Sequence, residues 1–159
     1  MKKAKPYIVS ILISVGVGLL SAFFTRTGMD IYSEIVTPPL SPPSVLFPIV
    51  WTVLFVLMGV SCALVYTDKT PAVPYANTEK ALFIYAISLV VNFLWSIIFF
   101  NLRFFGFSFV WLLLLWFLVF LTIREYLKIN KTAAYLQIPY LVWVTFAGYL
   151  NLGIWILNR

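Results

Sequence analysis

The chain has 159 residues, 63% of them hydrophobic and 10% charged, with a mean hydropathy of +1.02. A water-soluble domain carries roughly a quarter charged residues, so a soluble globule is excluded and the bilayer must solvate most of this surface. The net charge is +6, with no histidine and one cysteine. That composition removes His-based triads, His metal sites and an internal disulfide, and no metal site is expected.

Five apolar runs follow in chain order, at about 7–24, 45–66, 81–100, 104–123 and 133–157. Each is close to the ~20 residues that a helix needs to cross hydrocarbon. Helices satisfy their own backbone polar groups there. The expected fold is an all-α integral membrane protein, a single domain formed by a five-transmembrane-helix bundle.

Lys2-Lys3-Ala4-Lys5 precedes the first run and resembles the start of a signal peptide. The run is longer than the usual apolar region and no small-x-small cleavage site follows, so it reads as an uncleaved first helix. Ser10, Ser14, Gly18 and Ala22 recur along it at four-residue spacing. Small residues let helices approach closely, and packing within the bundle is expected over a dimer seam. The connection at 25–44 carries Arg26, Asp30 and Glu34, then Pro38-Pro39-Leu40-Ser41-Pro42-Pro43. Its prolines make it stiff. A connection this long is either a lid or a spacer.

The second run places Trp51, Phe55 and Cys62 near one face, with Pro48 one turn before Trp51. The third carries Asn92, Trp95, Ser96 and Phe99. An amide in hydrocarbon needs a partner, either a neighbouring helix or a ligand. The fourth run, with Trp111 and Trp116, is assigned no chemistry. The fifth carries a ladder at every fourth residue: Pro139, Trp143, Ala147, Asn151 and Trp155. Such residues share a helix face. With Trp51, Asn92, Trp95, Trp143, Ala147 and Asn151 turned inward, the bundle encloses an aromatic cavity suited to a large, flat, mostly apolar ligand. No Asp, Glu, Lys or Arg lies in mid-span, which weighs against an ion-coupled pump.

Charge sets the expected orientation. Lys2, Lys3, Lys5, Lys69, Lys80, Arg124, Lys128 and Lys131 fall on one side, against Arg26, Arg103 and Arg159 on the other. Cytoplasmic loops are the richer in Lys and Arg. The expectation is a multi-pass protein of the cell membrane with its N-terminus cytoplasmic and its C-terminus and Pro-rich loop outside. Bases at the ends of apolar runs suit anionic headgroups, and no nucleic-acid partner is expected.

Three blocks resemble one family. They are Pro38–Pro43 with Phe47-Pro48-Ile49-Val50-Trp51-Thr52, Val91-Asn92-Phe93-Leu94-Trp95-Ser96, and Pro139-Tyr140-Leu141-Val142-Trp143 continuing to Asn151. The family is that of the tryptophan-rich sensory protein and translocator protein, also called the peripheral benzodiazepine receptor. The likeness covers about the whole chain. It implies a five-helix bundle, commonly a homodimer in the lipid bilayer, with a pocket covered by the first loop. It also implies binding of porphyrins such as protoporphyrin IX as ligand or substrate, with no required cofactor. The matching pocket residues are Tyr32, Trp51, Asn92, Trp95, Trp143, Ala147 and Asn151, and Trp51 and Trp143 match tryptophans implicated in light- and oxygen-dependent porphyrin breakdown.

The chain departs from the family in two places. Tyr149 is followed by no base until Arg159, so the sterol motif at the end of helix five is incomplete; Leu121, Tyr126 and Lys128 fit that loose pattern elsewhere. Leu40 stands where some members have Trp. The resulting readings are a porphyrin receptor or sensor, a photo-oxidative porphyrin-degrading enzyme, and a passive carrier. Arg26 or Arg103 is the expected partner of ligand carboxylates. The lack of histidine favours a metal-free porphyrin.

Overall fold

The computed structural model describes residues 4–28, 30–69 and 75–159. Lys2, Lys3 and part of the 67–80 connection lie outside these. Among the described residues the elements are α1 (Lys5–Thr25), a short α2 (Ile31–Glu34), α3 (Leu46–Thr67), α4 (Tyr75–Ser96) running into a π turn (Ile97–Asn101), α5 (Phe105–Leu127) and α6 (Lys131–Leu157). The protein is an all-helical bundle in which α1, α3, α4 with its π turn, α5 and α6 are long and apolar enough to span a membrane. It is a multi-pass membrane protein.

The ends follow from local chemistry. Pro6 lies in the first turn of α1, where a missing N–H costs nothing. Asn130 caps α6, its side chain accepting from the Ala133 N–H at 3.0 Å, as N-cap amides do. Arg103 adopts φ 56° in the tight turn from α4 to α5. Two spans are longer than hydropathy predicts. α4 starts ahead of residue 81 because Asn77, Thr78, Glu79 and Lys80 form its polar first turns. α5 passes residue 123, and Lys80 and Lys128 both pair with Glu125 there, at 3.4 and 2.8 Å.

Around the bundle the order is α1, α3, α6, α5, α4, closed by a slighter contact of α4 with α1. Close packing needs small residues. A Cβ on Gly59 of α3 would stand 2.5 Å from the Ile11 Cα of α1. The small-residue stripe of α1 is used inside the bundle: Ser14 is buried and shares a 2.7 Å hydrogen bond with the Tyr85 hydroxyl, and Gly18 packs on the Phe55 ring. Buried polar groups elsewhere also pair between helices. Gln137 donates to Ser61 Oγ, which donates to the Ala133 carbonyl. Trp111 donates to the Val91 carbonyl, and on the outer surface Trp116 donates to Thr145 Oγ1. Each such bond is worth about 0.6–1.7 kcal/mol in a membrane.

The connection from α1 to α3 folds over one end of the bundle, here termed the lid end. Ile31 is fully buried beneath it. Asn158 clamps Val36 from both sides, accepting from its N–H and donating to its carbonyl, each at 2.8 Å. Tyr149 donates to the Pro39 carbonyl at 2.7 Å, and Arg103 pairs with Glu34 at 2.7 Å. Pro38 packs so closely on Gly153 that a Cβ there would meet it at 2.6 Å.

Candidate functional site

Beneath the lid lies a cavity of about 260 Å³ bounded by α1, α3, α4 with its π turn, and α6. α5 supplies none of its lining among the described residues. Tyr32, Trp51, Asn92, Trp95, Trp143, Ala147 and Asn151 all line it, so the structure brings together the residues expected to form a pocket.

The aromatic walls interlock. Trp51 stands edge-on to Trp143 and tilted to Trp95, with ring centroids 6.5 Å apart in both pairs, and stacks on Phe55 at 5.6 Å. Trp95 stacks on Phe99 at 5.5 Å. Such pairs contribute ~0.5–1.5 kcal/mol each beyond area burial. The lid reaches this cluster through Tyr32, which stacks on Phe47 at 5.4 Å and approaches Phe99 and Phe100. Burial pushes the Tyr32 phenol up to about 12, so it remains a neutral donor at any physiological pH.

The amides are committed to the scaffold. Asn92 donates to the Tyr140 hydroxyl at 2.8 Å. Asn151 accepts from Trp95 Nε1 at 3.2 Å and from Ser108 Oγ at 3.0 Å, and donates to the Phe105 carbonyl at 2.8 Å. It thereby ties α4, α5 and α6 together. Two polar atoms of the lining differ. Trp143 Nε1 and Ser21 Oγ are buried and have no hydrogen-bond partner among the described residues. Leaving such groups unmet is costly, and a bound acceptor would relieve both.

One expectation is corrected, and other residues marked by the sequence fall outside the cavity. The ladder of α6 is not one face: Trp143, Ala147 and Asn151 line the cavity, while Pro139 is exposed and Trp155 packs beside Gly106 under Arg159. Four residues turn a helix by ~400°, so the ladder drifts ~40° per step. Arg103 is engaged by Glu34. Arg26 stacks on Phe23 at 4.5 Å. Tyr126 is fully buried, so the Leu121, Tyr126, Lys128 pattern is no surface for a sterol. Leu40, at φ 65° and 84% exposed, covers nothing of the cavity. The wall supplied by α1, with Ser21 and Thr25 at its lid end, was missed; the four-residue spacing of these hydroxyls was its only signal.

Comparison with known proteins matches the pattern of the TspO/MBR family over residues 10–156. The chain is 35% identical over 147 residues to the tryptophan-rich protein TspO of Chlorobaculum tepidum, covering 91% of this chain and 90% of that one. It is 35% identical to the protein CrtK of Rhodobacter capsulatus, over 80% of this chain and 78% of that one. Identity to the translocator protein of Bos taurus is 32%, over 92% and 85%. This chain, a five-span bundle around an aromatic cavity, therefore belongs to the TspO/MBR family.

Proposed function

We propose that this protein is a membrane receptor for a flat, largely apolar tetrapyrrole, with protoporphyrin IX as its type ligand. The observation that carries the reading is the cluster of Trp51, Trp95 and Trp143 around one cavity, with the Trp143 N–H buried and unmatched among the described residues. Indole faces stack on a macrocycle, and the free N–H would donate to an acceptor on it. The cavity lies just below the ~300–1,000 Å³ of drug-sized pockets, so a macrocycle would enter by one edge and leave the other outside. Family membership supports the reading.

Breakdown of the same macrocycle by light and dioxygen is the second reading. The contact of Trp51 with Trp143 favours it, since both indoles would face the excited pigment. With either reading go a cytoplasmic N-terminal end, supported by its excess of lysines, and a homodimer. The small-residue stripe of α1 is occupied within the monomer, so a dimer would pair other faces.

The test is a protoporphyrin IX titration of the purified protein, followed by illumination in air. Saturable tryptophan quenching with unaltered pigment supports a receptor. Discrete products that vanish in Trp143→Phe support the enzyme. No saturable quenching would remove the porphyrin assignment.

A further inference from the structure

We infer that the cavity exchanges its ligand with the bilayer, through a slot between the lid-end halves of α1 and α3, while the lid stays closed. The inference rests on the porphyrin reading for its probe.

Burial along the lining locates the slot. Its exposed members are Leu19 and Ala22 on α1 and Pro48 and Thr52 on α3, while the lining residues of α4 and α6 are buried or half-buried. Leu19 is 66% exposed, yet it borders the cavity. It lies six residues before the end of α1, and Thr52 lies six after the start of α3. At ~1.5 Å per residue each stands ~9 Å inside its helix end, within the apolar span. An opening at that depth meets acyl chains. Farther from the lid the same helices meet backbone to backbone, where a Cβ on Gly59 would stand 2.5 Å from the Ile11 Cα. The seam is closed there, and the exposed lining residues all lie toward the lid.

The route through the lid is obstructed by comparison. The clamp of Asn158 on Val36, the Tyr149 bond to Pro39, the Arg103–Glu34 pair and the seat of Pro38 on Gly153 all hold it down. Opening it would break them together. A macrocycle dissolved in the bilayer would reach the slot without leaving hydrocarbon. Arg26, four residues beyond Ala22 on the same side of α1, would meet the acidic edge of such a molecule at headgroup level.

The experiment uses the full chain in lipid nanodiscs. Stopped-flow tryptophan quenching by protoporphyrin IX gives association and dissociation rates, and an equilibrium titration runs beside it. Ala22→Phe and Thr52→Phe narrow the slot, Leu19→Ala widens it, and Asn158→Ala with Glu34→Gln releases the lid. A gate changes both rates alike. The narrowed variants should slow association and dissociation by the same factor, about fivefold or more, as for any binding limited by a conformational step. Leu19→Ala should speed both, and lid release should leave both within about twofold. Faster association on lid release, or slot variants that lose affinity without slowing, would overturn the route and leave the receptor reading intact. No saturable quenching of the unaltered protein would overturn the receptor reading, and the route with it.

Discussion

Trp95 and Trp143 stand in one cavity but have opposite duties, and replacing each by Phe should separate them. Both substitutions remove an indole N–H. At Trp95 that N–H is bonded to buried Asn151 Oδ1 at 3.2 Å. Its loss should cost about 0.6–1.7 kcal/mol of membrane-protein stability, a fall in Tm of about 2–6 °C at this size. At Trp143 the N–H has no partner among the described residues, so no internal bond is lost and only the smaller ring matters. Ligand affinity should respond the other way. Losing a donor that meets a ligand acceptor costs about 0.5–1.5 kcal/mol, a rise in Kd of about 2–12-fold. Trp95→Phe also changes a more fully buried ring, so a double-mutant cycle with Asn151→Ala isolates the hydrogen bond. The assays are thermal unfolding in detergent and protoporphyrin IX titration. Equal stability losses in the two variants, with unchanged affinity in Trp143→Phe, would refute the division of roles.

Asn151→Leu removes three interhelical hydrogen bonds and should lower stability by about 2–5 kcal/mol, measured by unfolding in denaturing detergent; a change under 1 kcal/mol, on the scale of one weak bond, contradicts the assigned network. Gly59→Ala drives a methyl into the Ile11 backbone and should cost about 1–3 kcal/mol, whereas Gly16→Ala, with open space around it, should be tolerated; similar Tm values for the two would count against the α1–α3 contact. Tyr32 holds its proton to about 12 against a free-phenol value of 10.0. The lid should therefore be unaffected by pH below 10 and lose stability as pH rises between those values, because the unfolded phenol ionises first. Tyrosinate absorbance of the protein and of Tyr32→Phe tests this, and a Tyr32 that titrates near 10 would show that it is not buried.

The spans were legible because length and apolarity suffice to identify a membrane helix. Their ends were less so. Hydropathy cannot see the polar turn at Asn77 to Lys80 or the charged turn at Arg124 and Glu125, where local hydrogen bonding continues the helix. Nor does it reveal the π turn at Ile97–Asn101, which turns both Phe99 and Phe100 toward Tyr32. The grouping of Trp51, Asn92, Trp95 and Trp143 was legible from their type, since indoles and amides in mid-span need a reason. What each does in the cavity was not. The bonds of Asn92 to Tyr140 and of Asn151 to Trp95 join residues 48 and 56 positions apart, and no local pattern links them. The part played by α1 was hidden because small residues serve equally as helix contact and as cavity wall.

Four helices shape the cavity and α5 only braces them, holding its neighbours through the indole N–H groups of Trp111 and Trp116 and through Ser108. The other four helices combine recognition with rigidity, while α5 contributes rigidity alone. The lipid-facing leucines and phenylalanines of α5, such as Leu113, Leu114 and Phe117, form a region where sequence can drift while ligand choice is preserved. Libraries built there could raise thermal tolerance for laboratory use, and reporter dyes attached there would leave the cavity undisturbed.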